Sequence, residues 1–172
     1  VAERKGPPDG RCVGWRPWLQ WPGRAAAMSN SRFAVATHVL TSLALAAEDD
    51  PAARRTSDEL AASINTSPVV VRRIIGRLQA AGLVVAQTGR GGGAALARPA
   101  SKISLLDVHR AVDEPVLFAM NPNQPNPHCD VSCRMKDVLG PVFADAERAA
   151  LARLAKVRLS TLVAALRPAA RT

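Results

Sequence analysis

The chain has 172 residues, with 23 Lys and Arg against 14 Asp and Glu and a formal net charge of +9. That balance favours a polyanionic partner, nucleic acid first and an anionic membrane surface second, while no apolar run reaches the ~18 residues that a spanning helix needs. Three Cys are too few for a disulfide scaffold and point to a reducing, cytoplasmic compartment, and with 3% aromatic residues and no Tyr the core must be Leu, Val, Ile and Ala.

Residues 1–27 differ in kind from the rest. They hold Trp15, Trp18 and Trp21, four of the 13 Pro, and Cys12. Spacing of three can line one helical face as a membrane or partner anchor, but Pro17 and Pro22 interrupt any such helix. No continuous apolar stretch marks a signal peptide. The expectation is a disordered tail or an over-extended upstream reading, with an ordinary start at Met28.

From Phe33 to Ala47, apolar residues recur at helical spacing, which predicts a supporting helix ending near Glu48–Pro51. A short helix follows over Thr56–Ile64, capped by Thr56 or Ser57, with Asp58 and Glu59 at its positive end. Asn65-Thr66 breaks it. Ser67-Pro68 opens a second helix that runs to Ala81 and stops at Gly82. Leu83-Val84-Val85 is a strand, Thr88–Gly93 a Gly-rich hairpin tip, and Ala94–Ala97 the return strand. Helix, turn, helix and a hairpin carrying Arg90 is a winged helix-turn-helix pattern, so the fold class is mainly α with a small β-hairpin wing.

In the second of these helices Val71, Ile74, Ile75 and Leu78 form the apolar stripe. At ~100° per residue the opposite face carries Val69, Arg73, Gly76 and Ala80, flanked by Arg72 and Arg77. That outer face is small or cationic and has no acid, as entry into a major groove requires. Glycines around Arg90, including Gly91 and Gly92, let the backbone approach a phosphate and send the arginine into a minor groove. The loop is neither a P-loop nor a dinucleotide fingerprint.

Beyond Arg98-Pro99, Ser104 caps a helix over Leu105–Val112, in which His109 reads as a hydrogen-bonded packing residue. Residues 115–133 form a Pro- and Asn-rich loop ending in His128-Cys129-Asp130-Val131-Ser132-Cys133. A long helix is expected from about Met135 to Leu166, kinked or begun at Gly140-Pro141. Leu139, Phe143, Ala146, Ala150, Leu154 and Val157 give it an apolar stripe too wide for a small domain to bury, so it is read as a dimerisation helix. The expected division is a winged helix-turn-helix domain at 28–99, a linker helix and Cys-containing sensor loop at 100–134, and a dimerisation helix and tail at 135–172.

The run from Leu60 to Leu78, with Ala81-Gly82-Leu83-Val84, Gly89–Ala94 and Ile103-Ser104-Leu105-Leu106-Asp107-Val108, resembles the Rrf-two family of bacterial transcription regulators. Members include the iron–sulfur cluster regulator, the nitric-oxide-sensitive repressor and the cysteine-metabolism repressor. The resemblance covers about Ser31 to Leu166. It implies a homodimer with crossed long helices, each winged domain reading half of a near-palindromic double-stranded operator. By position it places DNA contacts on Thr66, Ser67, Val69, Arg72, Arg73 and Arg90.

Cluster-binding members resemble each other in three closely spaced cysteines before the long helix, whereas this loop has only Cys129 and Cys133, beside His128. Four readings follow: no cofactor, which is the expectation; a thiol switch; zinc on Cys129, Cys133 and His128; or an iron–sulfur cluster shared across a dimer. The function expected is a DNA-binding repressor; the alternative is a protein–protein or redox-sensing module with the winged helix as its platform. No catalytic constellation can be placed on the chain, so an enzyme is not expected.

Overall fold

The computed structural model describes residues 31–89, 91–112 and 118–167. The expected tail at 1–27 and Arg90 lie outside them. Among the described residues the order is α1 (Ser31–Asp49), α2 (Ser57–Ile64), α3 (Pro68–Ala80), β1 (Val84–Gln87), β2 (Gly93–Leu96), a 3₁₀ turn (Ala100–Lys102), α4 (Leu105–Ala111), α5 (Asp130–Lys156) and α6 (Leu159–Leu166).

Helix α1 is the support on which the rest is built. Ala36, Val39, Leu40, Leu43 and Ala44 fall at i, i+3, i+4, i+7 and i+8 and are all buried. Thr37 and Thr41 turn their hydroxyls back onto the carbonyls of Phe33 and Thr37, both at 2.8 Å. Around this stripe pack α2, α3, β2, α4 and α6, and a single core cluster joins Leu60, Val71, Ile74, Leu78, Val84, Val108, Leu159 and Val163.

Local capping fixes where α2 and α3 begin and end. The Thr56 hydroxyl accepts from Glu59 N–H at 3.2 Å, and the Glu59 carboxylate accepts from Thr56 N–H at 2.7 Å, a reciprocal capping box. Asn65 takes the left-handed conformation, φ 57°, and lets Thr66 N–H reach the Ala61 carbonyl at 3.0 Å. Ser67 then caps α3, with Pro68 in its first turn. At the far end Gly82, φ 67°, allows Leu83 N–H to bond the Leu78 carbonyl and Gly82 N–H the Gln79 carbonyl, both at 2.9 Å. This is the Schellman arrangement, sealed by burial of Leu78 and Leu83.

The hairpin pairs Val84 with Leu96 through Gln87 with Gly93. Arg55 bonds β2 from its other side, exchanging N–H···O contacts with Ala94 at 3.0 and 2.8 Å. The segment before α2 therefore anchors the wing to the helix-turn-helix.

The C-terminal part departs from the expectation of one long helix. Helix α5 begins at Asp130, five residues before Met135, keeps Pro141 inside it, and stops at Lys156. Val157 and Arg158 turn extended because the chain there bonds the entrance of α4: Leu105 N–H donates to the Val157 carbonyl and Leu159 N–H to the Ile103 carbonyl, both at 2.9 Å. Helix α6 then folds back onto α1, burying Leu159 and Val163. Residues expected in a separate dimerisation segment thus belong to the core of the winged domain.

Candidate nucleic-acid interface

Helix α3 buries Val71, Ile74 and Leu78 and half-buries Ile75, so the expected apolar stripe is the inward one. Outward lie Val69, Arg73, Gly76 and Ala80, all exposed, with Ser67 at the N-terminal end and Thr66 half-buried beside it. Val69 and Val70 are 59% and 42% exposed, unusual for valine and suited to contact with thymine methyl groups. Beyond the helix's own backbone, a Cβ on Gly76 would meet nothing within 4 Å among the described residues.

The three arginines of α3 are in three different states. Arg73 is exposed and has no hydrogen-bond or ion-pair partner among the described residues. Arg72 reaches across to the start of α2, its Nε donating to Ser57 Oγ at 3.1 Å and its Nη2 lying 3.6 Å from Asp58. Arg77, expected to touch DNA, is half-buried and donates to the Val112 carbonyl at the end of α4. Its position on the flank nearest α4 gives it a free carbonyl to satisfy, so it ties α3 to α4.

Between α3 and the wing runs a cleft of about 430 Å³ lined by Arg55, Arg72, Gly76, Gln79, Gln87 and Thr88, among others. Arg54 and Arg55, which the sequence reading passed over, stand at its edge; Arg54 Nη1 is 3.5 Å from the Gly93 carbonyl and Arg55 Nη1 3.8 Å from Glu59. A basic pair directly before a helix cap was the signal available for them. At the tip, Gly91 has φ 76°, and a Cβ on Gly92 would lie 2.4 Å from the Gln87 carbonyl oxygen. The glycines there answer to close backbone approach within the hairpin itself.

Two carboxylates stabilise the frame. Thr56 N–H, then its hydroxyl, hold Glu59 below the ordinary carboxylate range, against burial and aided by Arg55. Burial pushes Asp107 up, but Ser104 N–H and hydroxyl, with Arg98 and Arg158, outweigh it and leave Asp107 low. His109 packs edge-on against Phe33, ring centroids 5.7 Å apart. Its buried Nε2 has no hydrogen-bond partner among the described residues, so there it packs without the expected hydrogen bond.

In the loop, Asn126 is the organising residue. Its carbonyl accepts from Cys129 N–H at 3.0 Å and from the Cys133 thiol at 3.3 Å, its side chain accepts from His128 N–H at 3.0 Å, and its N–H donates to Ser132 Oγ at 2.9 Å. Cys129 is half-buried at the N-cap of α5; Cys133 and His128 are exposed.

On α5 no residue is buried. Leu139, Phe143, Ala150 and Leu154, with Val157 just beyond, are half-buried, and Phe143 stacks on Phe118 with centroids 5.3 Å apart. The exposed apolar side chains are instead Val131, Met135, Val138 and Val142, at 65%, 44%, 64% and 58%.

This geometry has close counterparts. Residues 29–165 match the model of a family described as Rrf2, iron-dependent transcriptional regulator. The chain belongs to the Rrf2 family. An HTH-type transcriptional regulator of Bacillus subtilis (strain 168), YwnA, is 38% identical over 137 residues, spanning 79% of this chain and 97% of its own. A crystal structure described as that of a DNA binding protein is 33% identical, with a TM-score of 0.59, covering 76% of this chain and 97% of its own. CymR, the global cysteine regulator of B. subtilis, shares the fold at 18% identity and a TM-score of 0.58, over 80% of this chain and 96% of its own. The Rrf2 chain is a DNA-binding transcription regulator and not an enzyme. No described helix is long and apolar enough to cross a membrane.

The family description names iron, and the described residues of one chain do not by themselves make a site that fits it. Among the described residues no three His, Cys, Asp or Glu side chains converge as a metal-binding group. Among the described residues the thiol donors are Cys129 and Cys133, the latter engaged with the Asn126 carbonyl.

Proposed function

We propose that this Rrf2 chain acts in the cytoplasm as a homodimeric repressor, each protomer setting α3 into a major groove and the wing against the adjacent backbone of an operator. The observation that carries this reading is the outward face of α3, where Arg73 is unengaged between Val69, Gly76 and Ala80. An arginine without an internal partner is free to fork onto a guanine edge. Thr66, Ser67 and Arg72 flank it, and Arg90 and Gly91 belong to the wing contact.

Dimerisation is assigned to α5. Val131, Met135, Val138, Val142, Ala149 and Ala152 are exposed and, with Asp145 between the last two pairs, step by four and three in turn, the spacing of a coiled-coil seam. This seam lies ~100° around the helix from the stripe read in the sequence.

The test is selection of bound sites from random duplexes, followed by titration of the selected site against salt. Affinity falls steeply with salt if phosphates are neutralised, and Arg73→Ala costs about 1–3 kcal/mol on the selected site. Binding that ignores both salt and Arg73→Ala would remove this face from recognition. The Cys129 and Cys133 pair, four residues apart at the start of α5, is read as a thiol switch: oxidant should lower operator affinity of the intact protein and not of Cys129→Ser or Cys133→Ser. Equal response in all three places the signal elsewhere.

A further inference from the structure

The loop over residues 119–125 stands off the first half of α5 and leaves a cavity of about 900 Å³ between them. It is open to solvent: Asn121, Asn123, Met135 and Lys136 on its lining are exposed and Met120, Leu139 and Phe143 half-buried, so large apolar side chains there meet water that a ligand would displace. Its lining is of two kinds. Met120, Met135, Leu139 and Phe143 supply deformable thioethers, a branched aliphatic and an aromatic face. Lys136 and the side-chain amides of Asn121 and Asn123 supply polarity. Lys136 has no carboxylate partner among the described residues.

Sites for small organic molecules have this character, mostly apolar with a few polar groups, at roughly 300–1,000 Å³. One cation does not suit a polyphosphate, and the cysteines beside the cavity do not complete a metal set. We propose that this cavity binds a small amphipathic organic anion, a carboxylate or sulfonate whose apolar body lies against Met120, Leu139 and Phe143, off the proposed dimer seam, and whose charge meets Lys136. The site joins the loop descending from the winged domain to α5. Any effect of occupancy on operator affinity therefore rests on the DNA-regulator reading, whereas the binding itself does not.

The experiment uses two fluorescent probes on the full chain without DNA: anilinonaphthalene sulfonate, which is anionic, and phenylnaphthylamine, which is not. The expected result is saturable binding of both at one per chain. Lys136→Glu, a change at an exposed residue, weakens the sulfonate by about fivefold or more, about 1 kcal/mol, and leaves the neutral probe within about twofold. Leu139→Trp, which sets a bulkier ring into the apolar end of the cavity, weakens both, with helicity by circular dichroism reporting that the variant is folded. Absence of saturable binding, as when a second copy occupies the cavity, overturns the proposal. So does sulfonate binding indifferent to Lys136→Glu. Because no DNA is present, neither result bears on whether the chain binds an operator.

Discussion

Replacing Gly76 by Ala should make the protein more stable and a poorer DNA binder. Gly76 lies inside α3, exposed, in helical conformation, and a Cβ there meets nothing within 4 Å beyond the helix's own backbone. The folded state therefore accepts the methyl without strain, and the gain is the helix-propensity difference between Gly and Ala, about 0.5–1 kcal/mol. On the same outward face, between Arg73 and Ala80, the methyl stands where α3 would meet the groove floor. Crowding a close-fitted contact by one carbon costs on the order of 1–3 kcal/mol, or at least about fivefold in affinity. Urea denaturation gives the first quantity and fluorescence anisotropy of a labelled selected duplex the second. A loss of stability would mean that Gly76 is packed against something in solution. A gain in stability with unchanged affinity would mean that this face of α3 does not enter the groove.

Arg77→Ala should act oppositely to Arg73→Ala: by removing the bond to the Val112 carbonyl it lowers stability by about 1 kcal/mol, seen as a lower urea midpoint, while the salt slope of duplex binding stays at the wild-type value. Asp107→Ala breaks the Ser104 capping box, whose Asp107 Oδ2 accepts from Ser104 N–H at 2.9 Å and Ser104 Oγ at 2.8 Å, and should cost about 1–2 kcal/mol at pH 7. Since the folded Asp107 lies below its ordinary value of 3.8, that contribution is present above pH 3.8 and is lost as pH falls further through the folded value; a wild-type-to-variant gap unchanged in acid would count against it. Val138→Glu with Val142→Glu should convert the proposed dimer to monomer by light scattering at micromolar concentration, because charge would be buried at the proposed α5 seam; an intact dimer would move the interface elsewhere.

What the sequence made legible was whatever short-range chemistry decides. Thr56, Ser67 and Ser104 were readable as caps, and Gly82 as a helix stop, because each answers to orphan backbone groups within one turn of it. Arg77 was not readable. On a helical wheel it flanks the outer face as Arg72 does, and only the packing of α4 beside α3 decides that it turns to Val112. The break between α5 and α6 was equally hidden, since no Gly or Pro marks it; it comes from main-chain bonds to Ile103 and Leu105, some fifty residues earlier. Gly140-Pro141, the visible breaker, lies within α5.

The same logic explains why the proposed seam differs from the stripe read in the sequence. Helix α5 carries apolar residues on two adjacent faces, and periodicity alone cannot rank them. The face of Leu139, Phe143, Ala150 and Leu154 is half-covered by its own chain, Phe143 by the ring of Phe118. On the face of Val131, Met135, Val138 and Val142 the side chains remain 44–65% exposed. A large exposed apolar stripe is rarely left to water on a stable protein. A helix with two apolar faces needs two partners, and since the winged domain supplies one, the other is to be sought outside the chain.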